Sequence, residues 1–332
     1  MPAVARPLAR PAAAAGPLMA LALSCGLAAP GAAHAGSGPW VQGPGALSVY
    51  AGGEYQRINE LAGREGLGDP SVIAVDDGIE TTGLKLIASY GLVERVELEL
   101  DLPWSHAQAN RPGPVCASLG PKTCAPTQGI GVVAARVKGL LLDELYGSPV
   151  SLSVAGVARF GQTTARTRDR VTNLGEGTQD LGGGLALGRS GGLREGFWSG
   201  YVDATGLYRF SNVADASPGV PAWEYSVNAE FLAGTRAWWS LGPSVSFWHR
   251  PEGIDVEDLL SDATLATDVD RFARLRARST RVGGKLLLRA DSRTTLALGA
   301  ATTVAAVNNP RVFTLSAGVA VYPRLRGAPE GG

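Results

Sequence analysis

Charged residues recur at every second position in several segments, and that spacing decides what chemistry they can do. Between Val93 and Trp104 the acids Glu97, Glu99 and Asp101 alternate with Leu98, Leu100 and Leu102. A period of two places the acids on one face of an extended strand and the leucines on the other. Arg136 and Lys138 keep the same spacing, and Arg159, Asp203, Arg209, Glu224, Glu230, Lys285 and Arg289 occupy matching positions in further segments. Polar faces bearing both signs of charge can enclose a narrow aqueous path, in which acidic and basic walls set up a transverse field that orients dipolar solutes. They can equally fill an interior with salt bridges, and the sequence leaves both readings open.

Nucleophilic and metal chemistry find less support. Past residue 35 the histidines are His106 and His249; Ser105 is adjacent to the first and Ser246 lies three before the second. Either odd offset puts the serine on the opposite face of a strand from its histidine, which disfavours a barrel lipid hydrolase. The stretch from Ile254 to Asp270 carries Asp255, Glu257, Asp258, Asp262, Asp268 and Asp270. It lacks the glycine and terminal glutamate of an EF-hand loop, so it reads as a solvated acidic loop or a short cap over a mouth. No metal and no cofactor is expected. Cys116 and Cys124 stand in a loop rich in Pro and Gly, and in an oxidising compartment such a pair reads as a disulfide. Its small ring would constrain the loop by about 2–3 kcal/mol.

The elements that position these groups are about twelve candidate strands, near residues 45–57, 79–90, 93–104, 129–141, 148–161, 178–189, 196–210, 222–235, 238–249, 279–291, 293–305 and 311–323. Each is about ten residues or slightly more, the length a tilted strand needs to cross a bilayer. Their connections alternate. Ile58–Gly78, Ser105–Gln128, Gln162–Gly177, Ser211–Pro221 and Arg250–Arg278 are long, whereas Gly91-Leu92, Leu142–Gly147, Ser190–Glu195, Arg236-Ala237 and Ser292 are short. Val307–Pro310 is a short exception among the long set. Short periplasmic turns and longer external loops are the habit of outer-membrane barrels, while a soluble sandwich has no reason to sort loops by parity. Aromatic residues gather toward strand ends, as interfacial girdles require.

Composition agrees once it is read by face. The chain has 332 residues, 30 basic against 30 acidic, 45 glycines (about twice the usual share) and 45% apolar residues. Averages typical of a soluble protein result when half of every strand faces lipid and half faces a charged lumen. Zero net charge with four lysines gives no footprint for nucleic acid. Residues 1–35 combine Arg6 and Arg10, an apolar run at Leu18–Leu23 and a small-x-small site at Ala33-His34-Ala35. They read as a cleavable secretory signal, leaving 36–332 as one domain.

Tyr90-Gly91-Leu92-Val93-Glu94-Arg95-Val96-Glu97-Leu98-Glu99-Leu100-Asp101-Leu102-Pro103 resembles the second hairpin of Gram-negative outer-membrane barrels associated with meta-cleavage phenol degradation. The shared features are the Tyr-Gly-Leu turn, an acidic-basic pair and a strand ending in Leu-Pro-aromatic. Gly129-Ile130-Gly131-Val132 before Arg136 is a second echo, with Val132 where that family tends to have an acid. The chain closes on Tyr322-Pro323-Arg324-Leu325 and a Gly-rich tail, where outer-membrane proteins commonly end on an aromatic. The resemblance implies small aromatic or amphipathic solutes.

The expectation is therefore an all-β protein, a single closed antiparallel transmembrane barrel of about twelve strands in the outer membrane of a Gram-negative bacterium. Its expected partners are outer-membrane lipid and lipopolysaccharide, the outer-membrane assembly machinery and small solutes. A passive or weakly selective conduit is the first functional reading. A plugged structural or surface-interaction barrel is the alternative.

Overall fold

The computed structural model describes residues 38–63, 72–109, 125–161, 178–210, 222–235, 238–255, 258 and 275–323. Cys116, Cys124, the leader 1–35 and most of the acidic stretch lie outside these residues.

Thirteen strands form one antiparallel sheet: β1 (Leu47–Ala62), β2 (Val72–Val93), β3 (Val96–Ala109), β4 (Thr127–Ile130), β5 (Val132–Leu142), β6 (Ser151–Gly161), β7 (Gln179–Gly192), β8 (Gly196–Phe210), β9 (Trp223–Thr235), β10 (Trp239–Arg250), β11 (Ala277–Arg289), β12 (Thr294–Val307) and β13 (Asn309–Val321). Apart from β4 and β5, which do not pair with each other, sequence neighbours pair, and β1 pairs with β13, so the sheet closes on itself. β4 and β5 both pair with β3 and form one stave broken at Gly131, giving a twelve-stave barrel. Closure pairs each stave on both sides and leaves no open sheet edge, the condition for strands in hydrocarbon.

All the expected strands form, with corrections at two connections. The first short turn, read at Gly91-Leu92, lies at Glu94-Arg95, because β2 runs on to Val93, which pairs with Val96. In the first long connection, read as a loop over Ile58–Gly78, β1 runs on to Ala62 and β2 starts at Val72: Glu60, Leu61 and Ala62 align with Ala74, Ile73 and Val72. The register shift between Ile58 and Glu60 and the positive φ of Gly78 (78°) mark a bulge, which breaks the period-two alternation there. At the other exception, Asn308 takes a left-handed conformation (φ 49°) and closes β12 onto β13 in a tight turn.

Alternation sorts the side chains as the period demands. Leu98, Leu100, Leu102 and Trp104 face outward while Glu97, Glu99 and Asp101 face in. Leu181 and Leu185 remain 57% and 59% exposed, part of an apolar outer surface far larger than a soluble monomer presents. Outward aromatics ring the long-loop rim: Tyr208 meets Phe210 at 4.9 Å and Trp223 at 5.2 Å, and Trp223 stacks on Tyr225 at 6.2 Å. Near the opposite rim, Trp198 stacks on Phe231 at 6.2 Å. Trp40, Tyr50, Phe197, Trp248 and Tyr322, expected in the girdles with the other strand-end aromatics, lie on the lumen side instead. Trp248 sits beneath the Arg250 guanidinium (4.9 Å).

Candidate functional site: a charge-lined lumen

All twelve charged residues expected to face the interior lie on the inward register. They fall into three levels along the barrel.

At the long-loop mouth the charges alternate from strand to strand. Arg159 of β6 aligns with Asp180 of β7, which aligns with Arg209 of β8. Arg159 Nη2 contacts Asp180 Oδ2 at 2.9 Å and Glu224 Oε1 at 2.6 Å, and Arg250 Nη2 contacts Glu224 Oε2 at 3.1 Å. Just above, buried Asp255 accepts from Arg276 Nε and Nη2 at 2.7 and 2.6 Å and from Asn308 Nδ2 at 2.6 Å. Asp255 is thus a structural pin between the β10–β11 connection and the β12–β13 turn, in place of the solvated acid expected there. Among the described residues no group of three or more potential ligands could hold a metal ion.

In the middle, Asp203, Glu230 and Lys285 surround an internal cavity of about 360 Å³, also lined by Glu54, Arg281 and Thr314. Lys285 Nζ donates to Glu230, and both side chains are buried. Asp203 accepts from Asn228 Nδ2 at 2.9 Å. Asp101 reaches Lys85 at 2.8 Å, a more exposed pair worth about 0–1 kcal/mol.

Toward the short-turn end sit Glu97, Glu99, Arg136 and Lys138, with Arg289 at the rim. Arg136 is the register partner of Glu99 and Lys138 of Glu97. Lys138 Nζ lies 3.2 Å from Glu97 Oε1 with the two side chains only 4% and 3% exposed. Removing either member of such a pair strands an uncompensated buried charge.

The sequence gives no sign of what crosses this end. Residues 38–46, which have no strand periodicity, form a strap through the lumen from β7 and β8 to β2 and β3. Pro39 is fully buried against Gly188, where an added Cβ would come within 2.9 Å of its ring. The Trp40 ring meets Tyr201 edge-on at 6.2 Å, and its Nε1 donates to Glu144 Oε1 at 3.2 Å. Gln42 N donates to Glu97 Oε2 at 2.7 Å, and Lys138 Nζ reaches Gly38 O at 3.5 Å. At Gly91 a Cβ would stand 2.0 Å from Gly43 O, so only glycine admits the strap. Glu144 comes from the β5–β6 turn, where Asp143 caps a single 3-10 turn by accepting from Leu145 N at 2.9 Å. It also accepts from Ser190 Oγ at 2.6 Å and from Ser190 N at 2.9 Å. Beside the strap, Tyr50, Ile87, Leu232, Leu287, Ala297 and Ala320 form an apolar cluster inside the lumen, with Tyr322 packed on it. The interior is therefore not charged all round.

His249 points outward with Phe247 (rings 6.0 Å apart) while Ser246 lines the lumen, so the two stand on opposite faces of β10, as their odd spacing requires.

A closed twelve-stave antiparallel barrel, apolar without, charged within and girdled by aromatics, has the architecture of an outer-membrane β-barrel. The fold is similar to that of an outer membrane channel from Pseudomonas putida F1, with TM-score 0.63 and 17% identity over 87% of this chain and 99% of that one. The NanC porin aligns at TM-score 0.48 and 9% identity over 84% of this chain and 100% of its own. No protein-family model and no curated protein matches the sequence.

Proposed function

We propose that this chain is a passive, weakly selective conduit for small solutes across the outer membrane of a Gram-negative bacterium. The observation that carries this reading is the mid-lumen cavity of about 360 Å³, bounded by charges of both signs and lying between the mouth network and the strap. Basic side chains such as Lys285 and Arg159 would cost about 2–4 kcal/mol on the lipid face near the midplane; within, they sustain water and polarise the path. Residues 1–35 act as the export signal, the short-turn end is periplasmic, and outer-membrane lipid and lipopolysaccharide contact the outer wall. The assembly machinery inserts the barrel. Small aromatic or amphipathic compounds are the proposed solutes, a choice supported by the hairpin Tyr90–Pro103. Proteoliposome swelling tests it: benzoate and phenol should enter faster than into protein-free vesicles, and equal rates would refute it.

A second reading, a shut scaffold whose external loops bind other molecules, draws on the strap and the apolar cluster. It predicts a barrel silent to every solute until the strap is removed.

A further inference from the structure

The mid-lumen cavity carries a polar row that crosses four neighbouring strands. Asp203 of β8 aligns with Asn228 of β9, Asn228 with Ser246 of β10, and Ser246 with Arg281 of β11. All four line the same cavity. The row therefore runs from a carboxylate through an amide and a hydroxyl to a guanidinium, along about 14 Å of wall at the usual strand spacing.

Neither end of this row forms an ion pair with a described residue, unlike most cations of the lumen. Lys285, Lys138, Arg159 and Arg250 each meet a carboxylate. The Arg281 side chain, though inward-facing and partly buried, makes no hydrogen bond or ion pair with any described residue. Glu54 lies within electrostatic range of it, yet is engaged by Gln56 Nε2 and forms no ion pair with the guanidinium. Asp203 has Asn228 as its hydrogen-bond partner and lies in the field of Arg136 and Lys138 without an ion pair to either. Across the cavity, Thr314 Oγ1 is buried with no partner. A guanidinium with an open fork, a carboxylate with acceptor capacity to spare and an unused hydroxyl thus belong to the lining of one cavity.

We infer that this row is a binding site for a small zwitterionic solute, whose carboxylate docks on Arg281 and Thr314 and whose ammonium docks on Asp203. Resting on the conduit reading in that solute must reach the lumen, the inference deepens it by naming a solute class. A guanidinium presents two parallel donors matched to a carboxylate, and a carboxylate accepts strongly from an ammonium. Simple ions fit worse. A monoanion gains Arg281 but faces Asp203 and Glu54, whereas a monocation gains Asp203 but faces Arg281. Only a solute carrying both signs satisfies the two ends together, in surroundings less polar than water where such contacts count for more.

The test uses three probes of matched length, 4-aminobutyrate, butyrate and butylamine, with full-length protein in detergent and saturation-transfer NMR as the binding readout. The site predicts that 4-aminobutyrate binds about tenfold more tightly than either singly charged probe, the effect of one charge-assisted contact. Arg281→Gln should shift the preference toward butylamine and Asp203→Asn toward butyrate, with heat-modifiable gel migration confirming that each variant is folded. Equal or reversed affinities in the unaltered protein overturn the inference whatever the variants do. Potassium chloride conductance of the same preparations keeps the two ideas apart. Conductance without zwitterion preference rejects the site and leaves the conduit; preferential binding without conductance keeps the site and rejects the conduit.

Discussion

Glu144 and Trp40 are 104 positions apart, yet the Glu144 carboxylate accepts the Trp40 indole N–H at 3.2 Å. That bond fastens the strap to the β5–β6 turn. Trp40→Ala removes both this bond and the edge-on contact with Tyr201, and Gly91→Val drives a side chain into the strap backbone at Gly43. Both variants should raise single-channel conductance, by about twofold if the strap is the narrowest obstruction. The barrel's gel mobility should not change. Unaltered conductance in both would show that the strap does not limit flow.

Lys285 and Glu230 form a buried pair, so removing one partner should cost more than removing both. Lys285→Met is expected to destabilise the barrel by about 3–5 kcal/mol, and Lys285→Met with Glu230→Leu to recover most of the loss. Equilibrium urea unfolding in lipid vesicles measures both. Additive losses in the double variant would contradict a directly coupled pair.

Facing direction can be tested by charge insertion. Leu185 faces outward on β7 and Ser244 lines the cavity on β10. Leu185→Arg should cost about 2–4 kcal/mol in a bilayer, and Ser244→Arg much less. Similar losses at the two sites would mean that the outer face is not in lipid.

Cys116 and Cys124 are proposed to form a disulfide in the second external loop. Thiol titration of the unfolded, unreduced mature protein should find no free thiol. Two titratable thiols per chain would remove the bridge.

The period-two pattern carried most of the fold, because in a barrel wall the face of a residue follows from its parity alone. Glu97, Arg159 and Lys285 point inward for that reason and no other. Arg281 shares the inward parity of Lys285, so its place was legible although its lack of an ion pair was not. Parity failed wherever alternation broke. The bulge near Ile58 hid the extension of β1 and β2, and the apolar run Leu286-Leu287-Leu288 concealed that Leu287 packs inside the lumen. The strap was out of reach on different grounds. Residues 38–46 have no periodicity, and what holds them is the distant carboxylates of Glu97 and Glu144 together with the notches at Gly91 and Gly188.

Planar-bilayer recording of the purified protein in potassium chloride tests the conduit most directly. Discrete, stepwise openings are expected from the full chain, larger after deletion of residues 38–45. A membrane that stays silent with both proteins, although each runs as a folded heat-modifiable barrel, would contradict it.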